Sequence, residues 1–494
     1  MEDYKIYSGT SMARFAPRRR VVMGIIAGLI LFLPIWRFEV LQETIPPSIQ
    51  ASVDRFNFMK NKSPQIRNNI AIASSFGFHF DVYLAVAWTL QRVMRQGSVQ
   101  LYTPTPYYFD FQTIIDKYDL YRGSVKDYED LSKDIMDNSV NGGFDLVILG
   151  TCEIDMRNWN NDLLKAWDAR DAQHKFQLVC IVHNALDDGW HGYISEWSRR
   201  NAIRVLTISE HVARSFRSKF QNNARSADPA LKLAALEYIP VDFHIPILDL
   251  QHFPELSPTR MLSNAVIQGS FDSNRRDYTR IFSELNASLH ANPEVWGYLP
   301  FGNGPSFIQN KRSNDPAFKL HLVGSGWITV PDELKNLIVF HTNLNYTDFY
   351  EVMGGMDICI PAFLSEDDIN FKYQASSSIA MCMESNVPIL ALEQLRNAYT
   401  HVDDDRITIT RPAIMSEIEA VKALRTGDAT EFLAETGPIS NFAALSLGSH
   451  PKVLHAVKKL VKGGWVRSKR NFEICKRETW KRNEEVIYRL LRDL

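Results

Sequence analysis

Short β-branched apolar runs alternate with amphipathic helical stretches along most of this chain, in two successive series. The first series holds Ile70–Ser75, VQLYT at 99–103, FDLVILG at 144–150, FQLVCIVH at 176–183 and IRVLTIS at 203–209. Runs that are apolar throughout, rather than at every second residue, suit strands buried on both faces of a parallel sheet. A turn at Gly77 leads from the first run into the helical pattern FDVYLAVAWTLQRVM. Periodicity then fades through Tyr238–Val241 and the proline-bearing DFHIPILDLQHFPELSP, which reads as a linker. The second series holds AVIQG at 265–269, FKLHLVGSG at 318–326, LIVFH at 337–341, ICIPAF at 358–363 and VPILAL at 387–392. The expected fold is α/β: two Rossmann-like, doubly wound domains over 67–245 and 260–445, with their ligands in the cleft facing the carboxyl ends of both sheets.

Residues 446–494 are expected to form helices that pack back on this body. The stretch from Lys452 to Arg482 carries eleven Lys/Arg against two Asp/Glu, which a solvated helix face or, as the sharper alternative, a membrane-surface contact would explain.

The 494 residues carry 55 Lys+Arg against 57 Asp+Glu, and 45% are hydrophobic. That balance excludes a disordered chain and a dedicated nucleic-acid binder. Five scattered cysteines (Cys152, Cys180, Cys359, Cys382, Cys475) form no Cys-x-x-Cys, so neither a zinc site nor a disulfide framework is expected. Cys180, Cys359 and Cys382 lie in apolar runs and read as buried small hydrophobes.

One stretch is apolar enough to meet a bilayer, Val21 to Trp36, sixteen uncharged residues. It is short against the ~20 usually needed to span. The basic residues Lys5, Arg14 and Arg18–Arg20 precede it, so the positive-inside rule leaves a cytosolic tail (1–20), a signal anchor (21–36), a stem (37–66) and a lumenal body. A cleaved signal peptide and a buried helix are the alternatives. Sequons at Asn286-Ala-Ser288 and Asn345-Tyr-Thr347 are compatible with a lumenal glycoprotein.

Three strand-to-loop junctions of the second series carry the chemistry of phosphate binding. Ser376-Ser377-Ser378 opens a helix, whose N-terminus offers free N–H groups and a positive dipole end, and Lys372 just upstream supplies a point charge. Gly269 permits close backbone approach ahead of Arg275-Arg276, either of which can grip phosphate. Gly324, in LVGSG, makes a third glycine turn. Asp403-Asp404-Asp405 offers an Asp-x-Asp, but it follows the serine helix at a distance and reads as a solvated loop, so no metal is expected.

AVIQGSFDSNRRDY, HLVGSG, LIVFHTNLNYTDFYEVMGGMDICIPAF and KYQASSSIAMCMESNVPIL, with ISEHVARSF and YIPV before them, resemble in order and spacing a GT-B glycosyltransferase. The likeness is to the retaining glycosyltransferase family 4 type, in a form like fungal membrane-anchored enzymes. It implies a hexosyltransferase using a UDP- or GDP-linked sugar without a metal or other cofactor, anchored as a type II protein of the Golgi or endoplasmic reticulum. The acceptor is a glycan, protein or lipid, and nucleic acid is not a partner. By the resemblance, Arg275 or Arg276 and Lys372 hold the diphosphate, with Ser377 and Ser378 wrapping it and Gly269 and Gly324 alongside. His183 faces the transferred sugar, and Gly77 and His79 face the same cleft. The family's two glutamates fall near Tyr373 and Met381, neither acidic here. Glu384 is the substitute for the ribose carboxylate, and Glu366, Asp367 and Asp368 for sugar contacts. The missing pair also leaves open a catalytically silent GT-B subunit of a transferase complex.

Overall fold

Both apolar series fold into parallel sheets, and the order of the strands is the same in each. The computed structural model describes residues 67–137, 143–229, 236–251, 253–255, 257, 259–302, 306–364, 369–436 and 445–494. The tail, the 21–36 anchor and the stem lie outside the described residues, as do Glu366, Asp367 and Asp368. Among the described residues no helix is long and apolar enough to cross a membrane.

The first sheet contains β1 (Arg67–Ala73), β2 (Gln96–Tyr102), β3 (Ser124–Lys126), β4 (Leu146–Leu149), β5 (Gln177–Val182), β6 (Ile203–Thr207) and β7 (Val241–Phe243). They lie in the order β3-β2-β1-β4-β5-β6-β7, every pair parallel. The second contains β8 (Asn264–Phe271), β11 (Lys319–Gly326), β12 (Ile338–Thr342), β13 (Ile358–Cys359), β14 (Ile389–Ala391) and β15 (Thr408–Thr410). Its order is β12-β11-β8-β13-β14-β15, again all parallel. Both are therefore doubly wound, and the strand order reverses between β1 and β4 and between β8 and β13. Ligands of such sheets gather at those two points. A hairpin of β9 (Tyr298–Phe301) and β10 (Ser306–Gln309) is inserted before β11.

All the apolar runs read from the sequence lie on strands. The elements missed are β3, β7, β15 and the hairpin, their strands all only three or four residues long and too short to show a period. The run ICIPAF yields a strand of only two residues, because Pro361 has no N–H for the ladder.

The first half of the expected linker is in fact buried. Ile245, Ile247, Leu248 and Leu250 are at most 4% exposed. No sheet satisfies this strap, so side chains do. Asn483 accepts from Ile245 N–H (3.0 Å) and donates to Ile245 O (2.7 Å), Trp480 Nε1 donates to Ile247 O (2.8 Å), and Glu384 accepts from Leu248 N–H (2.5 Å). Two of these partners belong to the last helix, Lys469–Arg492, which buries Phe472, Val486, Ile487, Leu490 and Leu491. That helix packs Trp480 on Trp88 (centroids 5.2 Å apart) and pairs Asp493 with Arg204 (2.6 Å). The helix before it, Pro451–Gly463, buries Val457 and Leu460. The chain's end thus returns to the first sheet.

The cysteines correct the sequence reading. Cys180, Cys359 and Cys382 are buried as expected, but Cys152 pairs with Cys180 (Cα–Cα 5.2 Å) and Cys359 with Cys382 (6.3 Å) in disulfides. Each pair joins a strand to the crossover helix that follows the fourth strand of its sheet. Only tertiary packing brings such residues together, so their spacing carried no signal.

Candidate functional site

The carboxyl ends of the two sheets face one another across a cleft of about 450 Å³. Its first wall grows from the ends of β1 and β4. β4 leads through Gly150 and Thr151 straight into helix α1 (Cys152–Ala169), whose first turn carries Glu153 and Asp155. Asp155 is fully buried and accepts from Thr151 N–H (2.7 Å), Ser75 N–H (2.8 Å) and Ser75 Oγ (2.8 Å), which fixes the loop after β1. Burial pushes its carboxyl up to about 7 against the pull of those donors.

Glu153 is also buried, and its Oε1 accepts from His183 N–H (2.6 Å) and Asn184 N–H (3.1 Å) at the end of β5. His183 Nε2 meets Gly150 O (3.1 Å), which can only accept, so in the neutral ring Nε2 carries the hydrogen and Nδ1 the lone pair. His79 stacks on His183 with centroids 3.9 Å apart and contacts Thr151 Oγ1 through Nδ1 (3.1 Å). Burial, and then His183 beside it, hold His79 well below its usual value, so it is neutral at physiological pH.

The second wall grows from β8 and from helix α2 (Ser377–Glu384). Arg276 is buried at 5% exposure; it donates to Pro361 O and, at 2.7 Å, to Ser378 Oγ, which itself donates to Gln268 O (2.6 Å). Gly269 sits at φ 125°, and a Cβ there would run into Arg276 and crowd Ser378. Arg276 and Ser378 are thus a strut between β8 and α2, with both ends occupied; burial pulls the guanidinium down to about 10, still cationic at neutral pH. Arg275, by contrast, is exposed and lines the cleft. Ser377 is exposed at the start of α2, whose first turn contains no acidic residue.

Beside the cleft the two halves are joined where Ala185 N–H donates to Tyr373 O (2.8 Å). A side recess of about 170 Å³, lined by Gly324, His341, Asn343 and Leu344, shares Asp81, Tyr346 and Ser377 with the cleft. Gln268 Oε1, buried and without a partner, lines this recess.

The structure therefore brings together His183, His79, Gly269, Arg275, Arg276, Ser377 and Ser378, with Gly77 in the adjoining loop and Gly324 in the recess. It does not bring Lys372 there. A single π-turn, Ile369–Tyr373, carries Lys372 to a separate groove of about 610 Å³ beside Arg214 and Lys219, where Ser215 Oγ donates to its carbonyl (2.7 Å). Glu384 is a correction too. It lies at the far end of α2, ~10 Å along the axis from Ser377, fully buried, accepting from Leu248 N–H and from Tyr350 OH (2.9 Å). Burial raises its carboxyl to about 8. It anchors the strap and cannot reach a ribose in the cleft.

Sequence reasoning missed Asp81, Thr151, Glu153 and Asp155. GTCEID directly after a buried strand was the available signal. Asp81, shared by cleft and recess, is raised above its ordinary value by burial, against the opposing influence of His183. Asp403 and Asp405 pair with Arg396 (2.6 Å each), and Asp404 with Arg406, so this acidic run is an ion-pair network. Of the two sequons, Asn345 caps a helix by accepting from Asp348 N–H (2.9 Å), and Asn286 lies inside the helix Tyr278–Ala291.

These features define a doubly wound α/β protein with a cleft between two parallel sheets. No family model matches the chain, and no curated relative matches it. Solved structures similar to it include Anabaena HepE in complex with UDP and glucose, 12% identical with a TM-score of 0.45, over 87% of this chain and 100% of that one. Another is an α-glucosyltransferase, AGT, in complex with UDP (11% identity, TM-score 0.46, 83% and 100% covered). A third is the apo lipopolysaccharide outer core galactosyltransferase WaaB (10% identity, TM-score 0.39, 86% and 98% covered). The architecture given above rests on the strand order itself.

Proposed function

We propose that the chain is a GT-B glycosyltransferase that moves a hexose from a nucleotide diphosphate sugar, UDP- or GDP-linked, to an acceptor. The observation that carries this reading is the polarity of the cleft. The first turn of α1 carries Glu153 and Asp155, and Asp155 takes up the N–H of the capping Thr151, so that end disfavours an anion. The first turn of α2 contains no carboxylate and stands beside exposed Arg275, which is the arrangement a diphosphate needs. The recess with Gly324 and the unpartnered Gln268 Oε1 has room for part of the nucleoside.

In this reading Arg275 and the α2 N–H groups take up the charge of the departing diphosphate without a metal. Arg276 and Ser378 hold α2 in place. His183 Nδ1 accepts a hydroxyl of the transferred sugar, and turnover retains configuration. Lys372, away from the cleft, is not assigned to the phosphates. The 67–245 half serves the acceptor and the 260–445 half the donor. The two disulfide pairs favour an oxidising compartment, as a type II protein of the Golgi or endoplasmic reticulum anchored through 21–36 would have.

The test is a thermal-shift series on the full-length chain with UDP, GDP and their sugar conjugates, with and without EDTA. Stabilisation by one nucleotide that survives EDTA, followed by release of free nucleotide from its sugar conjugate, is the expected result. No stabilisation by any of them sinks the reading. The catalytically silent subunit is favoured by one observation, the loss of Glu384 to the core; nucleotide binding without turnover, together with a co-purifying transferase, is its signature.

A further inference from the structure

The first wall of the cleft ends in a lip of exposed aromatic rings. Phe76, Phe78 and Phe109 line the cleft, and Phe78 (47% exposed) stacks on Tyr108 (53% exposed) with centroids 5.2 Å apart and planes 11° from parallel. A Cβ at Gly77 would run into the Tyr108 ring, so the glycine lets Tyr108 lie over the loop. Deeper in the same wall, Glu153 is 5% exposed; its Oε1 is used twice, and its Oε2 has no hydrogen-bond partner. A buried carboxylate oxygen left without a donor is costly, and a ligand hydroxyl is what the cleft can offer it. Asp81 and Asp187 line the cleft as well.

Resting on the glycosyltransferase reading, we infer that the acceptor is a neutral carbohydrate, its ring lying against the Phe78–Tyr108 lip and one hydroxyl donating to Glu153 Oε2. Aromatic faces carry partial negative charge and attract the C–H face of a pyranose, while its hydroxyls seek carboxylate acceptors. An anionic acceptor would meet Asp81, Glu153 and Asp187 together. A purely hydrocarbon acceptor would leave Glu153 unsatisfied.

The experiment uses the full-length chain in a detergent without a sugar headgroup. Saturation-transfer NMR reads binding of methyl α-glucoside, methyl α-mannoside, methyl β-galactoside, maltose, mannobiose and lactose, with UDP or GDP present. At least one saccharide should bind, about tenfold more weakly to Glu153→Gln, which keeps the Oε1 acceptor and removes the charge. Phe78→Ala should abolish the signal, while Tyr238→Ala, exposed at the amino end of β7, leaves it unchanged. Nucleotide binding by the same samples should be unaffected by all three substitutions. Nucleotide binding without any saccharide signal, a signal indifferent to Glu153→Gln and Phe78→Ala, or binding only to vesicles carrying a polyprenyl phosphate would each overturn the inference. Saccharide binding without nucleotide binding would support it and instead remove the transferase reading on which it rests.

Discussion

The junctions β4–α1 and β13–α2 hold the same place in their sheets, yet they have opposite polarity. In the first, two residues separate strand from helix, and the helix opens with Glu153 and Asp155. In the second, a longer excursion from Ile360 to Ser376 precedes a helix that opens with serines beside Arg275. The first helix end carries its own carboxylates; the first turn of the second has none. Topology determines where a ligand sits, and the few residues after each fourth strand determine which ligand it is.

The largest expected effect comes from breaking the second junction's strut. Arg276→Ala leaves Ser378 Oγ without its donor and Pro361 O unsatisfied inside the protein, which should cost ~3–5 kcal/mol, as when one partner of a buried charged contact is removed. Urea unfolding measures it, and a loss under ~1 kcal/mol would refute the strut. On the first junction, Asp155 makes the counterpart test through pH. Its folded-state value near 7 exceeds the ordinary 3.8, so between those values the folded protein holds a proton the unfolded chain has released. Its contribution to stability therefore declines as pH rises through that window and is constant above it. Asp155→Asn should flatten this part of the stability–pH profile, and an unchanged slope would contradict the assignment.

Ser377→Asp makes the second junction resemble the first. A carboxylate in the first turn suits the helix dipole, so stability without ligand should hold or rise by ~0.3–1 kcal/mol. Nucleotide affinity should fall ~100-fold, because the new charge takes the N–H groups and repels the diphosphate. Urea unfolding reads the first result and calorimetric titration with UDP and GDP the second, and unchanged affinity would place the phosphates elsewhere.

What the sequence made legible follows from the same contrast. The two sheets were readable because a strand covered on both faces leaves an unbroken apolar run, as FQLVCIV does. Edge pieces such as Ser124–Lys126 leave none. That Gly269, Arg275 and Ser377 would gather at one cleft was readable because all three follow strands of one parallel sheet. Glu153 and Asp155 were not, because a carboxylate after a strand looks like any solvated helix start until the fold buries it. Lys372 and Glu384 went astray for a further reason. A local motif gives position along the chain, but a π-turn and one helix length decide which way each side chain faces.

The smallest effect separates two neighbours in the sequence. Arg275 and Arg276 were interchangeable on reading RRDY, and the structure gives one to the solvent-facing cleft and the other to the core. Arg275 has no side-chain hydrogen bond or ion pair among the described residues, so Arg275→Ala should change unfolding free energy by no more than ~0.5 kcal/mol. If it holds the diphosphate as proposed, loss of that charge-assisted contact should weaken nucleotide binding about tenfold, ~1.4 kcal/mol. Because that contact is exposed, the deficit should shrink as salt rises from 0.05 to about 0.5 M, where screening falls to a few ångströms. Arg276→Lys offers the converse, since an ammonium cannot reach Pro361 and Ser378 with one planar fork. It should destabilise the protein, with a nucleotide deficit that high salt does not close. Equal salt dependence in the two variants would mean that both arginines, or neither, face the phosphates.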